Sequence, residues 1–160
     1  MPYRLEARVF LPAEIEKVFG YFADPRNLET LTPPFLKFRI VTPDVVMARG
    51  AVIDYRLRLH GLPFSWQSEI TVWEPGARFK DEQRRGPYTY WRHLHIFRSE
   101  RGGTEVEDGV DYDVPGGRLI HRWLVGPDLI RIFRFRLEKL QEVFGGSVQT
   151  GGKISIHRKE

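Results

Sequence analysis

Residues 78–114 read RFKDEQRRGPYTYWRHLHIFRSERGGTEVEDGVDYDV, and this stretch decides the fold. Apolar and polar side chains largely alternate along it, and a period of two is typical of β-strands. Glycine-containing turns at 85–87 and 101–103 interrupt the alternation. Extended runs that are separated by short Gly/Pro turns predict three neighbouring antiparallel strands.

The alternation continues upstream of this stretch, with one interruption. Residues 13–31 have helical spacing instead, and they predict two short helices that divide at Asp24-Pro25. The remaining segments alternate and predict four more strands. These segments are 3–11, 35–41, 51–59 and 64–73.

Downstream of the strands, apolar residues recur every three or four positions and predict one long helix. They are Leu119, Trp123, Gly126, Ile130, Phe133, Leu137, Leu140 and Phe144. Gly126-Pro127 should kink or divide this helix. The predicted fold class is α+β, with a curved antiparallel sheet of about seven strands wrapped around the C-terminal helix. Such a sheet closes loosely on one helix, so we expect a ligand cavity between them.

Composition limits the classes of function. The chain has 160 residues, no cysteine and a net charge of +4. Its length fits one domain, 1–145, followed by a tail, 146–160, that we expect to be flexible unless 153–157 form a short strand. The absence of cysteine excludes disulfides, thiolate metal sites and cysteine nucleophiles.

Charge and hydropathy predict where the chain acts. No apolar run has the length of a membrane span, and the first residues do not resemble a secretory signal. We therefore expect a cytoplasmic protein without stable membrane insertion. The positive charges are dispersed, so no nucleic-acid partner is predicted, and Arg131, Arg134 and Arg136 are expected on a solvated helix face.

Polar side chains share one face of the three strands in 78–114: Asp81, Gln83, His93, His95 and Asp108. Phe79 is the only large apolar residue of its strand, so its face should be the inner one. Turns at the two glycine positions would then bring Asp81 beside His93 and His95 beside Asp108. A register slip of one residue would reverse the faces.

Three interpretations of this polar patch remain open. The residues could be hydrogen-bonded pairs that fix strand register, groups that orient the polar end of a ligand, or an Asp–His general base. Ser68, on the predicted strand 64–73, shares a face with Trp66 and Ile70, and it does not complete a nucleophilic arrangement. Two histidines and two aspartates can hold zinc, but His-x-His between aromatic residues is more often packing and hydrogen bonding, so neither a metal nor a cofactor is predicted.

Several motifs together resemble a known superfamily. They are Trp66–Ile70, Phe79-x-Asp81-x-Gln83-x-x-Gly86-Pro87-Tyr88, Trp91-x-His93-x-His95-x-Phe97, Gly103–Pro115 and Phe133–Arg136. Over about residues 3–144 the chain resembles the START-like (SRPBCC) superfamily, and most of all its small bacterial proteins described as ligand-binding or cell-division-inhibitor-like. The resemblance implies the helix-grip fold. Members of the superfamily transfer lipids, bind ligands, cyclise polyketides or only assist assembly, so fold alone does not fix function.

We expect the chain to bind, without turnover, a small hydrophobic ligand such as a lipid or a polyketide-like molecule. Two alternatives are a cyclase or aromatase that uses an Asp–His pair, and a protein-interaction module with a vestigial cavity. In the latter, Phe10, Trp73 and Tyr90 on the outer face would meet a partner or the second copy of a homodimer. The candidate ligand-binding residues are Tyr55, Leu57, Trp66, Ile70, Phe79, Asp81, Gln83, Trp91, His93, His95, Asp108, Val110, Trp123 and Ile130.

Overall fold

An antiparallel sheet of eight strands dominates the computed structural model, which describes residues 2–146 and 153–160. In chain order the strands are β1 (Tyr3–Leu11), β2 (Arg39–Ile40), β3 (Val52–Leu59), β4 (Leu62–Glu74), β5 (Arg78–Arg85), β6 (Tyr90–Glu100), β7 (Gly103–Asp113) and β8 (Lys153–Arg158). Across the sheet the order is β2-β3-β4-β5-β6-β7-β1-β8. The α+β prediction is confirmed.

Helices lie after the first strand and after the seventh. They are α1 (Ile15–Ala23), α2 (Arg26–Thr30), a 3₁₀ turn (Pro34–Leu36), α3 (Gly117–Ile120), a π turn (His121–Val125) and α4 (Gly126–Phe144). Gly116 and Gly117 both have positive φ, which lets the chain turn sharply from β7 into α3. The helical path from 117 to 144 is thus one segment with a π turn directly before Pro127.

Two segments differ from the prediction. The strand predicted at 35–41 is wrong, because the prolines at 33 and 34 start a 3₁₀ turn that ends at Lys37 in the left-handed region. Only Arg39–Ile40 pairs with β3. Of the tail predicted to be flexible, residues 153–158 form a strand, as the alternative prediction had it, and β8 pairs with β1 along its length. Residues 147–152 of this tail lie outside the described residues.

The core lies between the inner face of the sheet and one stripe of α4. Leu129, Phe133, Leu137 and Leu140 are buried on this stripe. The predicted stripe fails before position 126, where Trp123 and its neighbour Leu119 are each 69% exposed. A π turn holds more residues than an α turn, so it rotates every preceding side chain relative to the stripe that follows.

Candidate functional site: a cavity between the sheet and the C-terminal helix

A cavity of about 180 Å³ lies between the sheet and α4, with α1 and α2 along one side. Its lining is mostly apolar, which is typical of sites for small molecules. Aromatic rings from both layers contribute much of the wall. They belong to Phe22, Phe38, Tyr55, Trp66, Phe79, Tyr88, Trp91 and Phe133.

The strand registers predicted for the polar patch are confirmed. Asp81 lies opposite His93 across β5 and β6, and His95 lies opposite Asp108 across β6 and β7. The short hydrogen bonds nevertheless run diagonally. His95 Nε2 is 2.8 Å from Asp81 Oδ2, and His93 Nε2 is 2.8 Å from Asp108 Oδ1. Side chains on one sheet face reach diagonal neighbours easily, so pairing in register does not fix hydrogen-bond partners.

His95 lies between two carboxylates and two rings. Its Nδ1 is 3.1 Å from Asp108 Oδ1, while its ring stacks on Phe79 at 4.0 Å and on His93 at 3.7 Å between centroids. Burial disfavours the charged form, but the hydrogen bonds to Asp108 and Asp81 outweigh it and raise the pKa of His95. At the base of the cavity, His95 therefore binds its second proton more tightly than a free imidazole does.

His93 has the opposite character although it lies only two residues away. Burial and the neighbouring charge of His95 lower its pKa to about 4. The neutral ring can donate from Nε2 to Asp108, which leaves Nδ1 as an acceptor. His93 thus offers the cavity a hydrogen-bond acceptor at neutral pH.

Both aspartates stay ionised despite their burial. Burial raises the pKa of a carboxyl, but hydrogen bonds from the histidines and the positive charge of Arg136 bring the pKa of Asp81 below its ordinary value and that of Asp108 well below it. Asp81 lines the cavity and its side chain is 19% exposed, whereas Asp108 is fully buried behind the histidines. Asp81 is thus available to a ligand, and Asp108 positions the two rings.

Arg136 on α4 completes the cluster, so the prediction that it lies on a solvated helix face is wrong. It is buried, lines the cavity, and its Nη2 is 3.5 Å from His95 Nδ1. Its guanidinium also lies over the ring of Phe22, with Cζ 5.2 Å from the centroid. The spacing was informative: Arg136 follows Phe133 by three positions and precedes Leu140 by four, which puts it on the buried stripe.

A second polar group lies on β3 and β4. The Tyr55 hydroxyl donates to Ser68 Oγ at 2.5 Å, and Trp66 Nε1 donates to the same oxygen at 3.0 Å. Burial raises the pKa of Tyr55, so its hydroxyl remains protonated. Ser68 therefore holds the two rings that form this wall and is occupied by them.

The structure brings nine of the fourteen candidate residues to the cavity wall: Tyr55, Leu57, Trp66, Ile70, Phe79, Asp81, Trp91, His93 and His95. Several wall residues were missed because they lie on helices or in turns, where strand parity gives no signal. Tyr88 belongs to the β5–β6 turn, and Leu129 and Phe133 belong to α4.

The other five candidates lie elsewhere. Gln83 bonds the backbone of Tyr88 at the β5–β6 turn, and Asp108 lies beneath the histidines. Val110 is fully buried in the core next to β1, Ile130 is half-buried outside the lining, and Trp123 faces solvent. The placement of Trp123 at the cavity is wrong, because the π turn rotates it away from the stripe.

Metal binding can be judged from the same cluster. The donor atoms of Asp81, His93 and His95 lie within 4.8 Å of one another, as a metal site would need. His95 Nε2 is engaged by Asp81, and the adjacent charge of Arg136 opposes a second cation. The chemistry of this cluster favours a hydrogen-bonded network over a coordination sphere.

Solved structures resemble this chain in fold. Protein CV1439 from Chromobacterium violaceum is 14% identical and has a TM-score of 0.71, with 90% of this chain and 98% of that one covered. The ZhuI aromatase/cyclase from Streptomyces sp. R1128 is 14% identical with a TM-score of 0.70, over 89% and 93% of the two chains. Ginseng major latex-like protein 151 from Panax ginseng is 10% identical with a TM-score of 0.65, over 89% and 97%.

Sequence comparison places the chain in a family. No curated protein matches it in sequence. A family profile described as "Polyketide cyclase / dehydrase and lipid transport" matches residues 11–141, which is most of the chain and includes the whole cavity lining. The chain therefore belongs to this polyketide cyclase/dehydrase and lipid transport family of helix-grip proteins.

Proposed function

We propose that this chain binds a small, mostly apolar molecule with a hydroxyl group in the cavity between the sheet and α4. The observation that carries the proposal is an aromatic cavity with one polar end, where Asp81, His93 and His95 lie together. Family membership supports it, since the family description includes lipid transport and polyketide chemistry.

The volume of the cavity favours a compact ligand. A buried apolar cavity of about 150 Å³ holds one benzene ring, and drug-sized ligands occupy roughly 300 Å³ or more. The 180 Å³ found here suits one or two fused rings better than a long acyl chain. The aromatic wall favours a flat ligand for the same reason, because rings stack on rings.

The charges at the polar end favour a ligand that donates hydrogen bonds. Asp81 is an ionised acceptor, and neutral His93 has an accepting nitrogen. A phenolic or enolic hydroxyl can donate to either. A hydrogen bond to a charged group contributes about 2 kcal/mol, so a hydroxyl should increase affinity by about tenfold or more.

Titration calorimetry with 2-naphthol, naphthalene and palmitate tests this proposal. We expect 2-naphthol to bind about tenfold more tightly than naphthalene, and palmitate to bind least. Asp81→Asn should reduce the preference for naphthol, because the charged acceptor is lost and neutral His93 remains, and should leave naphthalene binding unchanged. Glu82→Gln, on the opposite face of β5, is the matched control and should keep the preference. Absence of binding by both naphthalene compounds would contradict the proposal.

Catalysis of a cyclase or dehydrase reaction is the second candidate, and the His93–Asp108 contact favours it. A neutral imidazole that is held by a carboxylate is the usual arrangement of a general base. The two functions separate in a His93→Gln variant. If it binds 2-naphthol as the parent does but loses conversion of a poly-β-ketone mimic that the parent converts, the chain is an enzyme.

A further inference from the structure

The helical segment between β7 and α4 exposes large apolar side chains. Leu119 and Trp123 are each 69% exposed, and Ile120 and Leu124 are exposed as well. Neither α3 nor the π turn contains a buried residue. Contiguous exposed apolar surface on a small domain marks an interaction site more often than chance.

The segment is held firmly although its apolar side chains face outward. His121 is its anchor: its ring stacks on Tyr3 at 3.6 Å between centroids, and its Nε2 is 2.7 Å from the Tyr112 hydroxyl. The anchor fixes the orientation of the turn on the sheet. Trp123 and Leu124 are therefore presented by a supported turn.

The charge of this segment is entirely positive. Residues 114–127 contain Arg118 and Arg122 and no aspartate or glutamate. The Arg122 guanidinium lies over the Trp123 ring, with Cζ 5.4 Å from the centroid. A helix that carries Trp and Leu together with Arg is typical of binding at the interface of an anionic bilayer, where the ring lies among the headgroups and the arginine meets phosphate.

A neighbouring hairpin extends the same surface. His60, in the β3–β4 turn, is 2.7 Å from Asp128 in the first turn of α4. This contact holds the hairpin beside the π turn. Leu62, the first residue of β4, is 63% exposed at that hairpin. We call Leu62, Leu119, Ile120, Trp123 and Leu124, with Arg118 and Arg122, the docking patch.

We propose that the docking patch binds the surface of an anionic lipid bilayer. Its apolar side chains enter the headgroup region, and its arginines pair with lipid phosphates. Because α4 continues directly from the patch to the cavity wall at Leu129 and Phe133, docking places the cavity beside the bilayer. The docking itself does not depend on the cavity being occupied.

Co-sedimentation of the full chain with vesicles tests the proposal. We expect binding to vesicles of phosphatidylglycerol and phosphatidylcholine, weaker binding to phosphatidylcholine alone, and weakening by salt. A Leu119→Ser/Trp123→Ser double variant should lose at least about tenfold in affinity, since two large exposed side chains no longer enter the interface. Both residues are exposed, so the fold should be unaffected, and circular dichroism checks this.

Matched controls lie in the loop at the opposite end of β3. Val46 is 76% exposed, so Val46→Ser removes a comparable apolar surface outside the patch and should leave vesicle binding unchanged. An Arg118→Gln/Arg122→Gln variant should lose the preference for anionic vesicles, whereas Arg49→Gln should keep it. Failure of the parent to bind either vesicle would overturn the proposal. So would a parent dimer in sedimentation velocity that Trp123→Ser converts to monomer, because the patch would then bind a second copy.

Discussion

His93 and His95 occupy the same face of one strand, stack on each other, and differ in protonation. His93 makes its short hydrogen bond to one carboxylate, and its pKa falls to about 4. His95 contacts Asp81 at 2.8 Å and Asp108 at 3.1 Å, and its pKa rises. The two buried imidazoles lie 3.7 Å apart, yet a second carboxylate raises the pKa of His95, whereas burial and the charge of His95 lower that of His93.

The comparison shows how a polar cluster can lie in an apolar interior. Arg136, together with His95 when it carries its second proton, balances the anionic Asp81 and Asp108, while His93 is neutral at neutral pH. A buried charge is tolerated when it is paired and hydrogen-bonded, and each partner is then needed by the others.

Asp108→Asn should have the largest effect on stability. It removes the carboxylate that both histidines contact and leaves His95 and Arg136 short of negative charge. Breaking a buried ion pair this way costs about 4 kcal/mol of unfolding free energy, which urea denaturation measures. Glu107→Gln, the adjacent residue on the outer face of β7, pairs with Arg98 near solvent and should lose about 0.5 kcal/mol or less. Equal losses of unfolding free energy in Asp108→Asn and Glu107→Gln would contradict the proposed balance of buried charges.

Acid should destabilise the chain through His93. Its pKa is about 4 when folded against about 6.5 when unfolded, so below pH 6.5 only the unfolded chain takes up this proton. The free energy of unfolding should fall by about 3 kcal/mol from pH 6.5 to pH 4 on this account. Below about pH 3.8, protonation of Asp81 and Asp108 adds a loss of the same sign.

His93→Gln separates the contributions to this acid response. Glutamine keeps a donor toward Asp108 but cannot titrate, so the slope between pH 6.5 and pH 4 should flatten. The contribution of His95 has the opposite dependence: it is present below pH 6.5 and is lost as pH rises through its raised pKa. If the unfolding free energy of His93→Gln falls between pH 6.5 and pH 4 as steeply as that of the parent, another group is responsible for the acid response.

Arg136→Met should cost about 2 kcal/mol of unfolding free energy, because Asp108 and Asp81 lose a nearby positive charge that favours their ionised forms. Methionine fills much of the same space, so the loss reports charge more than packing. Arg134→Met, on the exposed face of the same helix, is the control and should be nearly neutral. Thermal denaturation of both variants compares them directly.

Asp81→Asn should give the smallest effect on stability and the clearest effect on protonation. In the parent, the imidazole ¹⁵N shifts followed against pH should show that His95 takes up its second proton at a higher pH than a free imidazole, and that His93 remains neutral down to about pH 4. The variant should lower the pKa of His95, because one of its two carboxylates is lost, and should leave His93 neutral. Identical titration of the two rings in the parent would contradict the comparison.

The sheet and its inner face could be predicted from sequence because strand parity repeats every two residues. Phe79 set the inner face, and the glycine turns set registers that the structure confirms at Asp81–His93 and His95–Asp108. The diagonal hydrogen bonds could not be predicted, since they depend on side-chain rotamers. The position of Asp108 behind the histidines could not be predicted either, because strand parity does not distinguish a residue at the cavity wall from one behind it.

The helix was harder to interpret than the sheet. A regular pitch over 117–144 placed Trp123 on the same stripe as Phe133, and one π turn was enough to move it to the surface. Arg136 was predicted to be exposed because of its charge, although its spacing along the helix indicated a buried position. The prediction therefore missed a cation of the polar cluster. For both residues, a general rule about helices gave the wrong position because the local geometry determined which side chains are buried.

We expect the cavity to bind a small flat molecule whose hydroxyl contacts the polar cluster. A crystal structure of the chain with 2-naphthol tests it most directly. We expect the naphthalene rings to lie against the aromatic wall to which Trp66 and Trp91 contribute, with the hydroxyl oxygen within hydrogen-bond distance of the Asp81 carboxylate or His93 Nδ1. A cavity closed by side chains, or naphthol bound only at the outer surface, would contradict it.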